Sequence, residues 1–538
     1  MDRRTFLKAG AAAGAAFAVS GTRTFASEGD SSVDVLITEP LGTIAPEVYG
    51  HFTEHLGAVV YDGIWVGEGS KIPNTGGIRT ALIERLRQIA APMVRWPGGC
   101  FADSYDWADG TGTRSKRPAR AGFWGDEPNS FGTSEFVRFC RLSQAEPYLA
   151  ANVRSLPALA LDHWIEYCNA PADRSVLGRQ RAQDGSPEPF NVRYWGIGNE
   201  SWGCGGNFRP EEYGEEFRRF TTWLPHYGEK PLQLIGSGPS ADDLDWTRRF
   251  FESTFSGKRA LSPKVMAGWS VHYYTWDLAR GRTHDWDAAK GDALKFDVVD
   301  WYELLREGDR LESYLRQHWE IMAEHDPSHH IKLVVDEYGP WYRPGTALDP
   351  SHTLGQQVTL RDALLTALTL DTFNRHPDKV RIAACAQLVN CLNSLFFAHE
   401  DKFIVTPNFY VFEMYKTHQG GRAVRAEFSA PRVHYTRDGA AADLWGLQGS
   451  ASMNGQTLTL TAVNPDVNSA RETAIFVRDA QIASGKATIL SATDLHAHNT
   501  FENPDGVHSR TMNVSAGGRE VRFTFPAASV TQLSLQLT

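Results

Sequence analysis

Two glutamates carry the clearest chemical signal in this chain. Glu200 closes the run Tyr194-Trp195-Gly196-Ile197-Gly198-Asn199-Glu200, and Glu337 lies in Leu333-Val334-Val335-Asp336-Glu337-Tyr338-Gly339. In each, a short apolar run of strand character gives way to a glycine-containing turn, so the carboxylate stands at a strand mouth. Packing does not explain a charge there, because a carboxylate taken out of water needs partners or a task. Two such groups in equivalent settings point to paired acid/base and nucleophile chemistry.

The elements that must position them follow a βα rhythm. From Val48 to about Asn390, short apolar runs alternate with longer amphipathic stretches, the pattern of a parallel sheet. The runs end near Phe52, Trp96, Asn152, Gly198, Gly236, His272, Val335 and Val389, and helical patterns cover Arg79–Ala90, Ser134–Gln144, Pro210–Trp223 and Thr353–Thr372. This number of βα units over this length fits a (β/α)8 TIM barrel better than a doubly wound sheet. Beyond about Tyr415 the pattern changes to short alternating segments, Thr457–Val463, Thr473–Val477, Ala487–Leu490 and Glu520–Phe525, which read as a C-terminal antiparallel β-sandwich of jelly-roll type. The expected division is a signal segment (1–26), a strand-bearing segment (27–47) adding an edge to the sandwich, the barrel (48–412) and the sandwich (413–538).

A length of 538 residues calls for at least two domains. With 64 acidic against 54 basic side chains, nothing favours a polyanion, so nucleic acid is not expected as a partner. The 16 tryptophans and 17 tyrosines suit stacking on sugar faces, although a large core also uses such rings. Asp2-Arg3-Arg4-Thr5-Phe6-Leu7-Lys8, an Ala/Gly-rich stretch to about Val19 and small residues up to Ala26 have the order of a twin-arginine signal peptide. Export by that route to the periplasm or exterior is expected, with no membrane attachment after processing, since no stretch supplies the ~20 apolar residues of a span. Of six cysteines, Cys140, Cys168, Cys385 and Cys391 read as small buried hydrophobes. Cys100 and Cys204 each lie in a glycine-rich turn past a candidate active-site strand; a disulfide between them is open to an exported protein, but sequence does not give their separation.

The barrel's C-terminal strand ends are rich in polar and aromatic groups, and there the fold places its active sites. They read His51-Phe52-Thr53-Glu54-His55, Arg95-Trp96-Pro97-Gly98-Gly99-Cys100, Asn199-Glu200, His272-Tyr273-Tyr274, Asp336-Glu337-Tyr338 and Gln387-Leu388-Val389-Asn390. With Tyr61-Asp62-Gly63-Ile64 and Glu127-Pro128-Asn129-Ser130-Phe131-Gly132, these anchors occur in one order along the chain. Taken together they resemble family 51 of the glycoside hydrolases, the α-L-arabinofuranosidases, from Tyr49 to about the C-terminus.

The resemblance implies a retaining, exo-acting hydrolase that removes arabinofuranosyl residues from arabinoxylan, arabinan or their oligosaccharides, with no cofactor or metal, and it implies homo-oligomers. Glu200 becomes the acid/base and Glu337 the nucleophile. Asn199 then binds the sugar 2-hydroxyl, Arg95 orients the nucleophile, and Tyr274 donates to it, with Tyr273 as the alternative one position away. Glu54 and Gln387 match positions that bind furanose hydroxyls, and Trp124 is a candidate wall of the sugar site. The simpler roles are a turn cap for Asn199, interior or rim ion pairs for Arg95 and Glu54, and loop packing for Trp124. One position departs from the pattern: where family members carry a sugar-contacting asparagine, this chain has Cys100. A thiol is a poor hydrogen-bond partner, so either that contact is lost or the cysteine is structural.

Other motifs are weaker. Gly196-Ile197-Gly198 lacks the third glycine of a dinucleotide fingerprint, and His329-His330 precede strand seven at the end of the barrel away from catalysis. Competing readings are an endo-glycanase or another furanosidase on the same scaffold and, from another class, a catalytically silent carbohydrate-binding protein. The pair Glu200 and Glu337 argues against the last, which has no need of it.

Overall fold

The computed structural model of the protein describes residues 31–276 and 286–538. The expected signal segment lies outside them. Eight parallel strands close into a barrel: Gly50–Phe52, Met93–Trp96, Glu146–Ala151, Tyr194–Ile197, Gln233–Gly236, Gly268–Thr275, Lys332–Pro340 and Val380–Ala386. They are called barrel strands one to eight below.

Residues two apart on a strand share a face, which sets what fills the barrel. Met93, Tyr148, Tyr194, Ile235, Val334 and Ile382 form one buried apolar cluster, and Arg95, two residues after Met93, lies toward the catalytic end. Amphipathic helices cover the outside. Pro210–Thr221 buries Tyr213, Phe217 and Phe220, and the Tyr213 hydroxyl accepts from the Ser237 amide at 2.7 Å while donating to the Ile197 carbonyl, tying strands four and five together.

Three barrel strands end elsewhere than expected. Strand six runs on to Thr275, strand seven to Pro340, and strand eight stops at Ala386 rather than Val389. The pairing of strand six with strand seven slips between Ser270 and His272, and that of seven with eight slips between Val335 and Tyr338. Apolar character ends at Val335, but ladder pairing continues past the irregularity, so the two sequence signals part company.

The helix expected over Thr353–Thr372 spans Leu360–Arg375. Its start is fixed by Asp362, whose carboxylate accepts from the Thr359 amide at 2.6 Å and hydroxyl at 3.0 Å, a capping box legible in Thr359-Leu360-Arg361-Asp362. Residues 341–359 are therefore a loop on the catalytic face.

The C-terminal domain is built on a nine-stranded sheet. Alternation decides its inner face: in Glu520–Phe525, Val521, Phe523 and Phe525 are buried while the residues between them are exposed. The N-terminal strand, Ser31–Thr43, is not an edge as expected. It lies between Arg422–Ser429, antiparallel, and Arg471–Arg478, parallel, with Val33 and Val35 in the core. A strand contributed from the far end of the chain can pair on both sides, which local pattern does not reveal.

Helix Leu360–Arg375 joins the two bodies. Its Asp371 accepts hydrogen bonds from Ser450 at 2.6 Å, Thr461 at 2.5 Å and Tyr415 at 2.8 Å, and Asn374 donates to Ser450 at 3.0 Å. No helix among the described residues is long and apolar enough to cross a membrane.

Candidate active site

Strand four hands over to a tight turn that aims Glu200. Gly198 has φ +91° and Glu200 φ +37°, the left-handed region that a residue with a side chain seldom occupies. Hydrogen bonds from the Gly203 and Gly205 amides to the Glu200 carbonyl, at 2.7 and 3.1 Å, hold it there. A disulfide between Cys100 and Cys204, Cα atoms 5.5 Å apart, fastens this turn to the loop after strand two. The Cys204 sulfur lies 3.6 Å from Glu200 Oε2 and the Cys100 sulfur 4.0 Å.

Glu337 enters from strand seven. Arg95 donates to its Oε1 at 2.7 Å, and the Tyr274 hydroxyl donates to its Oε2 at 2.7 Å. The other Arg95 terminal nitrogen donates to Asn199 Oδ1, also at 2.7 Å, and one guanidinium therefore sets both the nucleophile candidate and the residue beside the acid/base candidate. Tyr273, one position away, donates instead to the Glu307 carbonyl. Carboxylate oxygens of Glu200 and Glu337 and a nitrogen of His272 all lie within 4.8 Å of one another.

Glu54 from the end of strand one completes the carboxylate set. Its Oε1 accepts from the Phe101 amide and from Trp124 Nε1, both at 2.9 Å, and its Oε2 from Gln387 Nε2 at 3.0 Å. The glycines of Pro97-Gly98-Gly99 have a direct reason. A Cβ on Gly98 would strike the Glu54 side chain, and one on Gly99 would sit 2.9 Å from Glu337 Oε1. The anchor Glu127-Pro128-Asn129 serves the same loop from behind: Glu127 takes His55 Nδ1 at 2.7 Å, while Trp96 Nε1 donates to the other His55 nitrogen at 2.9 Å.

Two residues without assigned roles prove central. His272 presents Nδ1 to Glu200 Oε1 at 3.0 Å and Nε2 to Asp336 Oδ1 at 3.2 Å. Asp336 also accepts from Tyr148 at 2.7 Å and from Ser270, and stands 3.3 Å from Arg95 Nε. Burial opposes a charged His272, but Glu337, Asp336 and Glu200 overcome it and push the imidazolium up to about 10. Burial likewise opposes a charged Asp336, yet Arg95, His272 and Ser270 hold its carboxyl well below the usual range. Burial and the charge of Glu337 push Glu54 up to about 7. Below that pH, Glu54 offers a neutral acid, which can donate as well as accept.

The structure therefore gathers Glu54, Arg95, Trp124, Asn199, Glu200, Tyr274, Glu337 and Gln387 in one cleft. Cys100, which as a candidate sugar-binding residue stood at the position of the family's asparagine, is structural instead: its sulfur is bonded to Cys204 and offers no thiol to a sugar. His329 stacks on Trp319, ring centroids 4.0 Å apart, away from this cluster. His272 was within reach of sequence reasoning, since it lies two residues before Tyr274 on the same strand face. Asp336 was not, because strict alternation sends it to the face opposite Glu337; the irregular pairing around Val335 lets both carboxylates reach Arg95.

Comparison with known proteins agrees with this geometry. The α-L-arabinofuranosidase 1 domain matches residues 85–290, and the α-L-arabinofuranosidase C-terminal domain matches residues 336–529. A Bacteroides ovatus protein named an intracellular exo-α-L-arabinofuranosidase is 36% identical over 501 residues, covering 92% of this chain and 93% of its own length. The crystal structure of the family 51 arabinofuranosidase from Xanthomonas axonopodis pv. citri superposes with a TM-score of 0.87 at 34% identity, covering 94% of this chain and all of that one. That of a Thermotoga maritima α-L-arabinofuranosidase in complex with arabinose gives 0.77 at 27% identity over the same shares. With this identity along nearly the whole length, the chain belongs to the α-L-arabinofuranosidases of glycoside hydrolase family 51.

Proposed function

We propose that the chain is a retaining, exo-acting α-L-arabinofuranosidase in which Glu337 is the nucleophile and Glu200 the acid/base. The observation that carries this reading is the approach of the two carboxylates, whose oxygens lie within 4.8 Å at the ends of strands four and seven. Retention needs carboxyl groups ~5–5.5 Å apart, whereas inversion needs ~6.5–9.5 Å to admit a water.

In the first half-reaction the Glu337 carboxylate attacks the anomeric carbon as the bond to the leaving oxygen breaks, and Glu200 gives that oxygen its proton. In the second, Glu200 takes a proton from water, the water oxygen attacks the same carbon, and the ester bond to Glu337 breaks. Arg95 and Tyr274 occupy both Glu337 oxygens and orient them. Asn199 is fixed by Arg95 through its Oδ1, and its amide nitrogen, which here meets the Cys204 sulfur at 3.9 Å, donates to the sugar 2-hydroxyl. Glu54 and Gln387 bind furanose hydroxyls beside Trp124.

A cavity of ≈ 190 Å³ lined by Glu200, Trp202, His272, Tyr274 and Trp341 opens beside the acid/base. Substrates are arabinan, arabinoxylan or their oligosaccharides. The test compares wild type and Glu337→Gln on an aryl α-L-arabinofuranoside and follows wild-type products from arabinan. Loss of ~10³-fold or more in the variant, with free arabinose as the only early product, is expected. Unaltered hydrolysis by the variant sinks the nucleophile assignment, and early oligosaccharides sink the exo reading.

Export is part of the same proposal, supported by the order Arg3-Arg4, apolar stretch and small-residue exit. N-terminal sequencing of the protein from its native source tests it: a start after Ala26 is expected, and an intact Met1 contradicts it.

A further inference from the structure

On the catalytic face, outside the carboxylate cluster, Asp349 and His352 of the loop 341–359 meet His399 at the end of the strand Phe396–His399. One potential ligand atom from each lies within 4.8 Å of the other two. The Asp349 carboxylate is already oriented: its Oδ1 accepts from the Ser351 amide at 2.8 Å and hydroxyl at 2.5 Å, leaving Oδ2 3.9 Å from His399 Nε2. Among the described residues no lysine or arginine pairs with it. His352 is only 4% exposed, yet its Nε2 has no hydrogen-bond partner. A buried imidazole nitrogen left so forfeits its hydration without recompense, and native proteins seldom tolerate that without a reason. Its ring meets that of His399 edge to face, centroids 5.9 Å apart at 65°, a contact that brings the two imidazoles together but gives Nε2 no hydrogen-bond partner.

We propose that Asp349, His352 and His399 form a binding site for a divalent transition-metal cation of the zinc class. Two imidazoles and one carboxylate match that class, whereas magnesium and calcium prefer all-oxygen sets. Tetrahedral coordination at ~2.0–2.2 Å puts donors roughly 3.3 Å apart, so the 3.9 Å pair must close only slightly. Both members of that pair are partly exposed. The fourth position goes to water. The cation pins the loop to the Phe396–Val405 hairpin. That loop starts at Trp341, whose ring lies 5.1 Å from Tyr274, and the cation touches none of the reacting atoms.

The full-length protein, first dialysed against chelator, is titrated with zinc in competition with a chromophoric chelator, and its melting temperature is read with and without zinc. One equivalent is expected, with a higher melting temperature. His399→Gln and His352→Gln should each bind at least ~10-fold more weakly and lose the zinc-dependent shift. Their rates on an aryl arabinofuranoside should match wild type. Should His352→Gln fail to fold, His399→Gln decides, since its ring is at the surface. No zinc uptake overturns the proposal. So does uptake that His399→Gln leaves unchanged, which places the ion elsewhere, as among Glu200, His272 and Glu337.

Discussion

At the scale of residues, Glu200 and Glu337 differ in what surrounds them. Glu337 receives donors on both oxygens, while Glu200 faces His272 on one oxygen and the disulfide sulfurs on the other. Replacing Glu200 with Ala should lower turnover of natural arabinosides by ~10²–10⁴-fold, and far less on aryl glycosides whose leaving group needs no proton. Equal losses on both would count against the acid role. His272 adds a pH signature. Its pKa is raised by its carboxylate neighbours, so the stability it contributes is complete below the ordinary histidine value and is lost as pH rises toward about 10. The difference in unfolding free energy between wild type and His272→Gln should therefore shrink between about pH 6.5 and 10; a constant difference would refute the charged imidazole. Glu200 and Glu337 were legible because carboxylates at strand mouths have few structural excuses, whereas Arg95 and Tyr274 were reached through the resemblance to family 51. Asp336 was hidden by the alternation rule itself, which holds only while the ladder stays in register.

Among elements, the strand-to-turn junctions carry most of the function. Gly98 and Gly99 exist because carboxylates approach the backbone where a Cβ would stand, and Glu200 accepts a positive φ because Gly203, Gly205 and the Cys100–Cys204 bond hold its turn. Sequence showed both cysteines in such turns but carries no distance across 104 residues. Opening that link by Cys204→Ser should cost about 2–5 kcal/mol of stability. It should also reduce turnover of poor leaving groups more than of good ones, because the loosened element positions the proton donor. A variant with uniform loss on all leaving groups would show that the link supports the fold alone. Element identities were readable from periodicity. Their ends were not, since the bulges in strands six and seven and the late start of helix Leu360–Arg375 depend on pairing and capping rather than on hydrophobic pattern.

For the whole molecule, the barrel and the sheet domain share a buried helix, with Asp371 anchored by side chains from the sheet side. The strand Ser31–Thr43, placed inside the sheet, binds the start of the described chain to its end. The resemblance to family 51 likewise extends through both parts. The central claim is that the reaction passes through an arabinosyl ester of Glu337, and mass spectrometry of the intact protein tests it most directly. The Glu200→Ala variant should form that ester readily from an activated aryl α-L-arabinofuranoside but release it slowly, lacking the base. A mass increase of one anhydropentose, mapped to the peptide containing Glu337, is the predicted result. No adduct, with inverted arabinose as the first product by NMR, or an adduct on any other residue, would contradict the account.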